Sequence, residues 1–309
     1  MFDTNFDKIK IHMILWLVIV MTAVCCEQEE VMENPWNVII DTKVKQPVRM
    51  AAFLNESFGI TGGFSGKGKT HRTLDGAESW TKSEPSGGCL YGVEIINDKS
   101  VWVAGRMSGM SFTTPGGLRL SKDGGETFEP SAKIPIFPEE CPMSFLDQNN
   151  GLFFQRGRLR STNDGGQTWK EISLPEDADI IKAVHMRTIN NGYLLDLSGN
   201  FFMTNDGGNT WNKTQLPLHK YHGLGLTEFE SSSASIRFFD DNKGIVVTSL
   251  SGGEHKDRVQ AFRTTDGGRN WKSELVTYGG GSIFLSPDAQ YVTVQLDGNI
   301  LVLQYTGEE

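Results

Sequence analysis

The chain has 309 residues, with 38 acidic and 29 basic side chains and a formal net charge of −9. That mild acidity, with both signs interspersed, excludes nonspecific nucleic-acid binding, which rests on neutralising phosphates. Thirty-five glycines and sparse helical periodicity predict many short strands and tight turns, and no shift in composition divides the chain.

Residues 1–26 read as a targeting segment. Lys8 and Lys10 form a basic start, and the apolar run from Ile11 to Val24 ends at Cys25-Cys26. The run is short for a membrane span and fits a secretory signal. The paired cysteines resemble the lipobox of bacterial lipoproteins, in which a cysteine is acylated after cleavage. Cys26 has Ala23 three positions before it and is preferred over Cys25; an ordinary cleaved signal or an uncleaved anchor is the alternative. Glu27, Gln28, Glu29 and Glu30 open a tether over 27–35. This acidic stretch resembles the surface-export signal of Bacteroidetes lipoproteins, which implies an outer-membrane location by way of a lipid anchor. Removing residues 1–25 takes away Asp3, Asp7, Lys8 and Lys10, so the mature charge stays at −9.

The folded part is expected to span 36–309 as a single domain. Trp36–Asp41 is strand-like but has no local partner. After it, a pair of apolar strands around an Asn/Asp-rich turn recurs six times. The pairs are Met50–Leu54 with Phe58–Thr61, Tyr91–Ile96 with Val101–Ala104, and Met143–Leu146 with Leu152–Gln155. They continue with Ile181–Ile189 and Tyr193–Leu195, Ile236–Phe239 and Ile245–Thr248, and Ser282–Ser286 and Tyr291–Leu296. These read as the first two strands of six four-stranded units. The last unit continues with Asn299–Tyr305 and then lacks a fourth strand, which Trp36–Asp41 is expected to supply, because open strand edges are costly. A seventh unit would have to come from Gln215–Ser233.

Between these pairs one phrase occurs five times, with aspartates at Asp75, Asp123, Asp164, Asp206 and Asp266. Each has Ser or Thr two positions before, Gly directly after and an aromatic five positions after. The steps between aspartates are 48, 41, 42 and 60 residues, the length of a four-stranded propeller blade. The phrase resembles the Asp-box, or BNR, repeat. Glycine supplies positive φ in a hairpin turn, the carboxylate accepts backbone N–H bonds, and the aromatic can wedge between blades. The five aspartates therefore read as structural staples; a calcium loop is excluded by the missing alternate acidic ligands and closing glutamate. The expected fold is an all-β, six-bladed β-propeller, with seven blades as the alternative.

Propeller geometry puts the Asp-boxes and the Asn/Asp turns on one face. By resemblance to Asp-box enzymes, ligands bind on the opposite face. Its long loops are Arg106–Gly117, Glu129–Cys141, Gln215–Ser233 and Ser251–Arg258. The candidate ligand-face residues are Arg156, Arg158, His219, Tyr221, His222, Glu139, Glu140, Glu254 and His255. Gly157 is expected to turn the chain between Arg156 and Arg158. His71 and His185 lie in strand-like runs and read as structural. Cys89 and Cys141 precede apolar runs in neighbouring repeats and could form a disulfide in an oxidising compartment. No zinc-ligand spacing, CxxC pair or nucleotide fingerprint is present, so no metal or cofactor is expected.

Sialidases share the box but add a Phe/Tyr-Arg-Ile-Pro motif, absent here: Gln46-Pro47-Val48-Arg49-Met50 is the nearest segment, and Lys133-Ile-Pro-Ile136 lacks the arginine. The rhythm of strand, Asn/Asp turn, strand and box is similar to exported propellers of the photosystem II stability/assembly factor type, which implies binding of protein partners without chemistry. The expected function is a lipid-anchored propeller that binds a protein or glycan through its loop face. A small carbohydrate-active enzyme using Glu139, Glu140, Glu228 and Glu254 is the alternative.

Overall fold

The computed structural model describes residues 34–44, 48–63, 70–83, 87–107, 117–131, 134, 140–218, 230–251, 257–296 and 298–307, with the side chains of 87–89, 106–107 and 230–232 left out. All regular structure among them is β, in six four-stranded antiparallel sheets. The first strand, β1 (Trp36–Lys43), stands apart from the sheet that follows it. Blade 1 is β2 (Met50–Phe53), β3 (Gly59–Gly62), β4 (His71–Thr73) and β5 (Thr81–Lys82). Blade 2 is β6 (Gly87–Ile95), β7 (Val101–Met107), β8 (Leu118–Ser121) and β9 (Glu129–Pro130). Blade 3 is β10 (Met143–Phe145), β11 (Gly151–Gln155), β12 (Arg158–Thr162) and β13 (Lys170–Ile172). Blade 4 is β14 (Ile181–Met186), β15 (Gly192–Asp196), β16 (Asn200–Thr204) and β17 (Asn212–Gln215). Blade 5 is β18 (Glu230–Phe238), β19 (Gly244–Ser251), β20 (Arg258–Thr264) and β21 (Lys272–Tyr278). Blade 6 is β22 (Ser282–Leu285), β23 (Tyr291–Leu296) and β24 (Asn299–Tyr305), completed by β1.

Six blades, closed by the N-terminal strand, therefore match the sequence expectation. Trp36 pairs with Tyr305 and Lys43 with Asn299 along the β1–β24 ladder. The strands of blade 5 run longer than their apolar patterns, since β18 begins six residues before Ile236 in a Ser-rich stretch that pairs with β19. First strands of consecutive blades pack against one another around the ring, and β2 meets β22 where the ring closes. That junction is tied by Phe53 N–H donating to Thr293 Oγ1 at 3.0 Å, Gln295 Nε2 to Val48 O at 3.1 Å, and Tyr291 Oη to Glu56 Oε2 at 2.8 Å.

The boxes staple each blade to the one before it. In blade 4, Asp206 accepts from Thr204 Oγ1 at 2.7 Å, Thr210 N at 2.9 Å and Thr210 Oγ1 at 2.6 Å, while Thr204 Oγ1 accepts from Gly208 N at 2.9 Å. The same bonds recur around Asp75, Asp123, Asp164 and Asp266. The second glycine has positive φ in four boxes, and a Cβ on Gly208 would meet Ile172 Cγ2 at 2.3 Å. Box 1 has Ala77 there, at φ 73°.

Each box aromatic joins an apolar cluster that includes residues of the preceding blade. Trp80 joins the cluster of Ile40 and Ile300 and meets Phe53 of its own blade edge-on, ring centroids 6.1 Å apart. Phe128 joins that of Phe58 and Ile60, and Trp169 joins that of Trp102 and Leu120 while meeting Phe153 of its own blade at 5.8 Å. Trp211 lies against Leu152 and Phe154, and Trp271 against Tyr193 and Phe201. Blade 6 has no box, but Trp36 takes the same place at the start of its outer strand, in a buried cluster that includes Val247, Val259 and Ala261 of blade 5. The Arg263 guanidinium of blade 5 sits 3.8 Å from the centre of the Tyr305 ring, beside Trp36.

Candidate functional site

The inner strands end in register: Phe53, Ile95, Phe145, Met186, Phe238 and Leu285 each pair with the first or second residue of the next strand. One residue earlier stand Ala52, Glu94, Ser144, His185, Arg237 and Phe284, one from each blade, all buried. They form a single layer across the axis. Arg237 Nη2 lies 3.3 Å from both carboxylate oxygens of Glu94 and donates to Leu285 O at 2.9 Å. The guanidinium also stands 5.8 Å from the Phe284 ring centre. His185 Nδ1 is 3.4 Å from Ser144 Oγ, which accepts from Met186 N at 3.0 Å.

Burial dominates the electrostatics of this layer. Loss of hydration pushes the Glu94 carboxyl above its usual range despite the attraction of Arg237. His185 is pulled down to about 3, first by burial and then by the charges of Arg237 and Arg187. The layer is a polar plug with its charges mutually satisfied.

Above the plug, towards the loop face, the inner strands begin with a different set. Arg49 precedes β2, with its guanidinium 4.8 Å from the ring centre of buried Tyr91. Glu140 lies just before β10 and Lys182 on β14. Glu140 is reached by solvent yet sits in a recess, where desolvation raises its carboxyl against the pull of Lys182 and Arg49. The arrangement is a charged bowl with a closed floor. It can hold the end of a chain or a small polar group.

Of the residues predicted for this face, Glu140 stands in the bowl. Arg156 forms the β11–β12 turn with Gly157, at φ 54° and 69°, and Arg158 on β12 is exposed, 3.6 Å from Glu171. Arg156 and Arg158 belong to a hairpin tip of blade 3. Glu139, His219, Tyr221, His222, Glu228, Glu254 and His255 lie outside the described residues, as does the side chain of Cys89. Cys141 is buried in the adjoining blade, and its N–H donates to Tyr91 O at 3.1 Å. Among the described residues there is no cluster of three or more metal-ligating side chains, and no helix long and apolar enough to cross a membrane.

Sequence reading missed Arg49, Tyr91, Lys182 and the Glu94–Arg237 pair. The signal was available: a charge inside an apolar inner strand, Glu94 among Tyr91–Ile96 and Arg237 between Ile236 and Phe238, is costly unless it is paired.

With this geometry, the chain resembles several known propellers. A family model described as Sortilin, neurotensin receptor 3 (Sortilin-Vps10), matches residues 157–299, which is under half of the chain. A solved structure titled YCF48 bound to D1 peptide is similar at 12% identity and TM-score 0.50, over 89% of this chain and 96% of that one. YCF48 from Cyanidioschyzon merolae matches at 14% identity and TM-score 0.52, over 87% and 98%. A streptogramin B lyase matches at 13% and 0.52, over 89% and 99%. Identities this low establish the β-propeller fold and leave activity open, since the same fold carries unrelated functions. No curated protein matches the chain.

Proposed function

We propose that this protein is an exported, lipid-anchored propeller that binds a protein partner on its loop face, without chemistry of its own. The observation that carries the reading is the bowl of Arg49, Tyr91, Glu140 and Lys182 over a sealed polar plug. Mixed charges around an aromatic ring suit a peptide, whose own termini and side chains bear both signs. The similar YCF48 structure is described as bound to a D1 peptide, which supports peptide binding as a use of this architecture. Cys25-Cys26 after an apolar run, followed by Glu27–Glu30, supports lipid anchorage and an outer-membrane location.

A second reading follows from Glu140. A carboxyl held above its usual range is suited to donate a proton, as in glycan cleavage. Its nearest charged neighbours are cations, and no second carboxylate accompanies it among the described residues of the bowl, which favours binding. The test is a peptide array and a glycan array probed with the mature domain, followed by product analysis. Peptide binding lost in Arg49→Ala and Lys182→Ala supports the proposal. Release of reducing ends that depends on Glu140 overturns it in favour of the enzyme.

A further inference from the structure

The seam between blades 3 and 4 is filled differently from the seams beside it. At the second residue of the second strand, blades 2 and 4 carry Trp102 and Tyr193. Each stacks on the last inner-strand residue of the following blade, Trp102 on Phe145 with ring centroids 4.1 Å apart and Tyr193 on Phe238 at 4.0 Å. Blade 3 has Leu152 at that position, and blade 4 faces it with Met186. Two aliphatic side chains fill less of the wedge than two stacked rings. A cavity of about 310 Å³ remains, lined by the box and Asn turn of blade 4 and therefore open on the box face. That volume is at the lower end for small-molecule sites.

The chemistry of the lining is specific. The floor is aliphatic, from Leu152, Leu159 and Met186, and the Trp211 ring forms a wall. Trp211 Nε1–H already donates to Ser173 O at 3.0 Å, so the indole offers the cavity its carbon framework. Around the opening stand Asn163, Asn190 and Asn191. Asn191 Oδ1 accepts from Thr188 Oγ1 at 2.6 Å, which leaves its Nδ2 hydrogens for another acceptor. The single lining carboxylate, Asp206, is held by Thr204 and Thr210, and the single lining ammonium, Lys170, is exposed.

We propose that this seam binds a neutral saccharide unit bearing an N-acetyl group. The apolar face of a pyranose ring stacks on Trp211, its hydroxyls and acetamido group exchange hydrogen bonds with the asparagine amides, and the acetyl methyl enters the aliphatic floor. A cationic ligand finds no uncommitted carboxylate in the cavity, since Asp206 is held by Thr204 and Thr210, and Lys170 stands in solvent, where screening leaves a pair with an anionic ligand worth little. A wholly apolar one leaves the rim amides desolvated without partners, and a plain hexose leaves the floor unfilled. The site lies on the face opposite the bowl and stands independently of the peptide reading.

The experiment titrates the full mature chain with N-acetylglucosamine and, separately, glucose, read by tryptophan fluorescence and calorimetry. A ligand of this size is expected to bind with a Kd of about 1 mM, with glucose about tenfold weaker or worse. Leu152→Phe puts a ring at the register of Trp102 and Tyr193; it is expected to keep or raise the Tm and to weaken N-acetylglucosamine binding by about tenfold or more. Asn191→Ala, at a half-buried turn residue, is the second variant, expected to weaken binding while the protein stays folded. Absence of a saturable response to N-acetylglucosamine overturns the proposal. So does equal affinity for glucose, or unchanged affinity in Asn191→Ala.

Discussion

Arg237 of blade 5 meets Glu94 of blade 2 across the axis, with Nη2 3.3 Å from the carboxylate oxygens. Three steps in a ring of six is the full diameter, so this one buried ion pair ties opposite sides of the propeller. Removing one partner leaves the other buried and unpaired. Arg237→Met and Glu94→Leu are each expected to cost about 3–5 kcal/mol. The double variant should cost much less than their sum, because two apolar groups leave no charge stranded. Chemical denaturation of the four proteins in the cycle checks this; additive losses would remove the pair as the unit that matters.

The same layer predicts opposite pH effects from two residues. His185 has its folded pKa depressed from 6.5 to about 3, so the fold favours neutral imidazole. Its contribution is present above about pH 6.5 and is lost progressively as pH falls towards 3, with a slope approaching about 1.4 kcal/mol per pH unit. Glu94 has its folded pKa raised, so its contribution is present below the ordinary carboxyl range and is lost as pH rises through the raised value. His185→Gln should flatten the acid limb of a stability–pH curve between 6.5 and 3. Glu94→Gln should flatten a limb of the other sign at higher pH. A His185→Gln curve parallel to wild type in the acid range would refute the assignment.

Ring closure rests on a strand whose identity was legible in the sequence only by elimination. Trp36–Asp41 reads as a strand without a partner, and the last repeat lacks a fourth strand; joining them needs no structural knowledge. That Trp36 also stands in for a box aromatic was not legible, because no aspartate or glycine marks it. The β1–β24 ladder supplies the register, and blade 5 supplies the apolar bed. Trp36→Ala is therefore expected to cost about 3–5 kcal/mol. Deleting Trp36–Asp41 should abolish cooperative unfolding, while deleting Glu27–Glu30 should leave the Tm unchanged. Equal midpoints for the two truncations would contradict closure by β1.

The boxes were legible almost residue by residue, because the same backbone problem is solved five times with the same side chains. Binding residues were harder, because the inner strands differ from blade to blade and only their shared register shows which side chains meet. Within a box, the buried hydroxyl of Thr264 accepts from Gly268 N at 2.8 Å and donates to Asp266 at 2.9 Å. Thr264→Val strands that N–H and should cost about 1–3 kcal/mol by thermal or chemical denaturation, with no effect on loop-face binding. Asp164, Asp206 and Asp266 are held at about 2 by hydrogen bonds, so their contribution is present above the ordinary value of 3.8 and lost as pH falls through 2.

Ala77 departs from the box pattern in a way that can be measured. It holds φ 73° where the other four boxes use glycine. The left-handed region costs a Cβ-bearing residue about 1–2 kcal/mol, and glycine's greater freedom in the unfolded chain returns part of that. Ala77→Gly should therefore stabilise the protein by up to about 1 kcal/mol, seen as a raised Tm. A lowered Tm would mean that the packing of Ala77 against the blade 6 cluster outweighs the backbone strain.

Anchorage yields the last prediction. An acyl chain contributes about 0.8 kcal/mol per buried CH₂, so one chain holds a protein reversibly and several on one cysteine hold it firmly. If Cys26 or Cys25 is the acylated residue, the mature protein should partition into detergent and carry a fatty-acid label. Replacing both by serine should release the protein or trap its precursor, while Cys89→Ser should do neither. Mass spectrometry of the native N-terminus distinguishes the two cysteines. An unmodified mature chain that stays in the aqueous phase would exclude the lipid anchor and leave a secreted propeller, with the loop-face bowl and the blade 3–4 cavity unaffected.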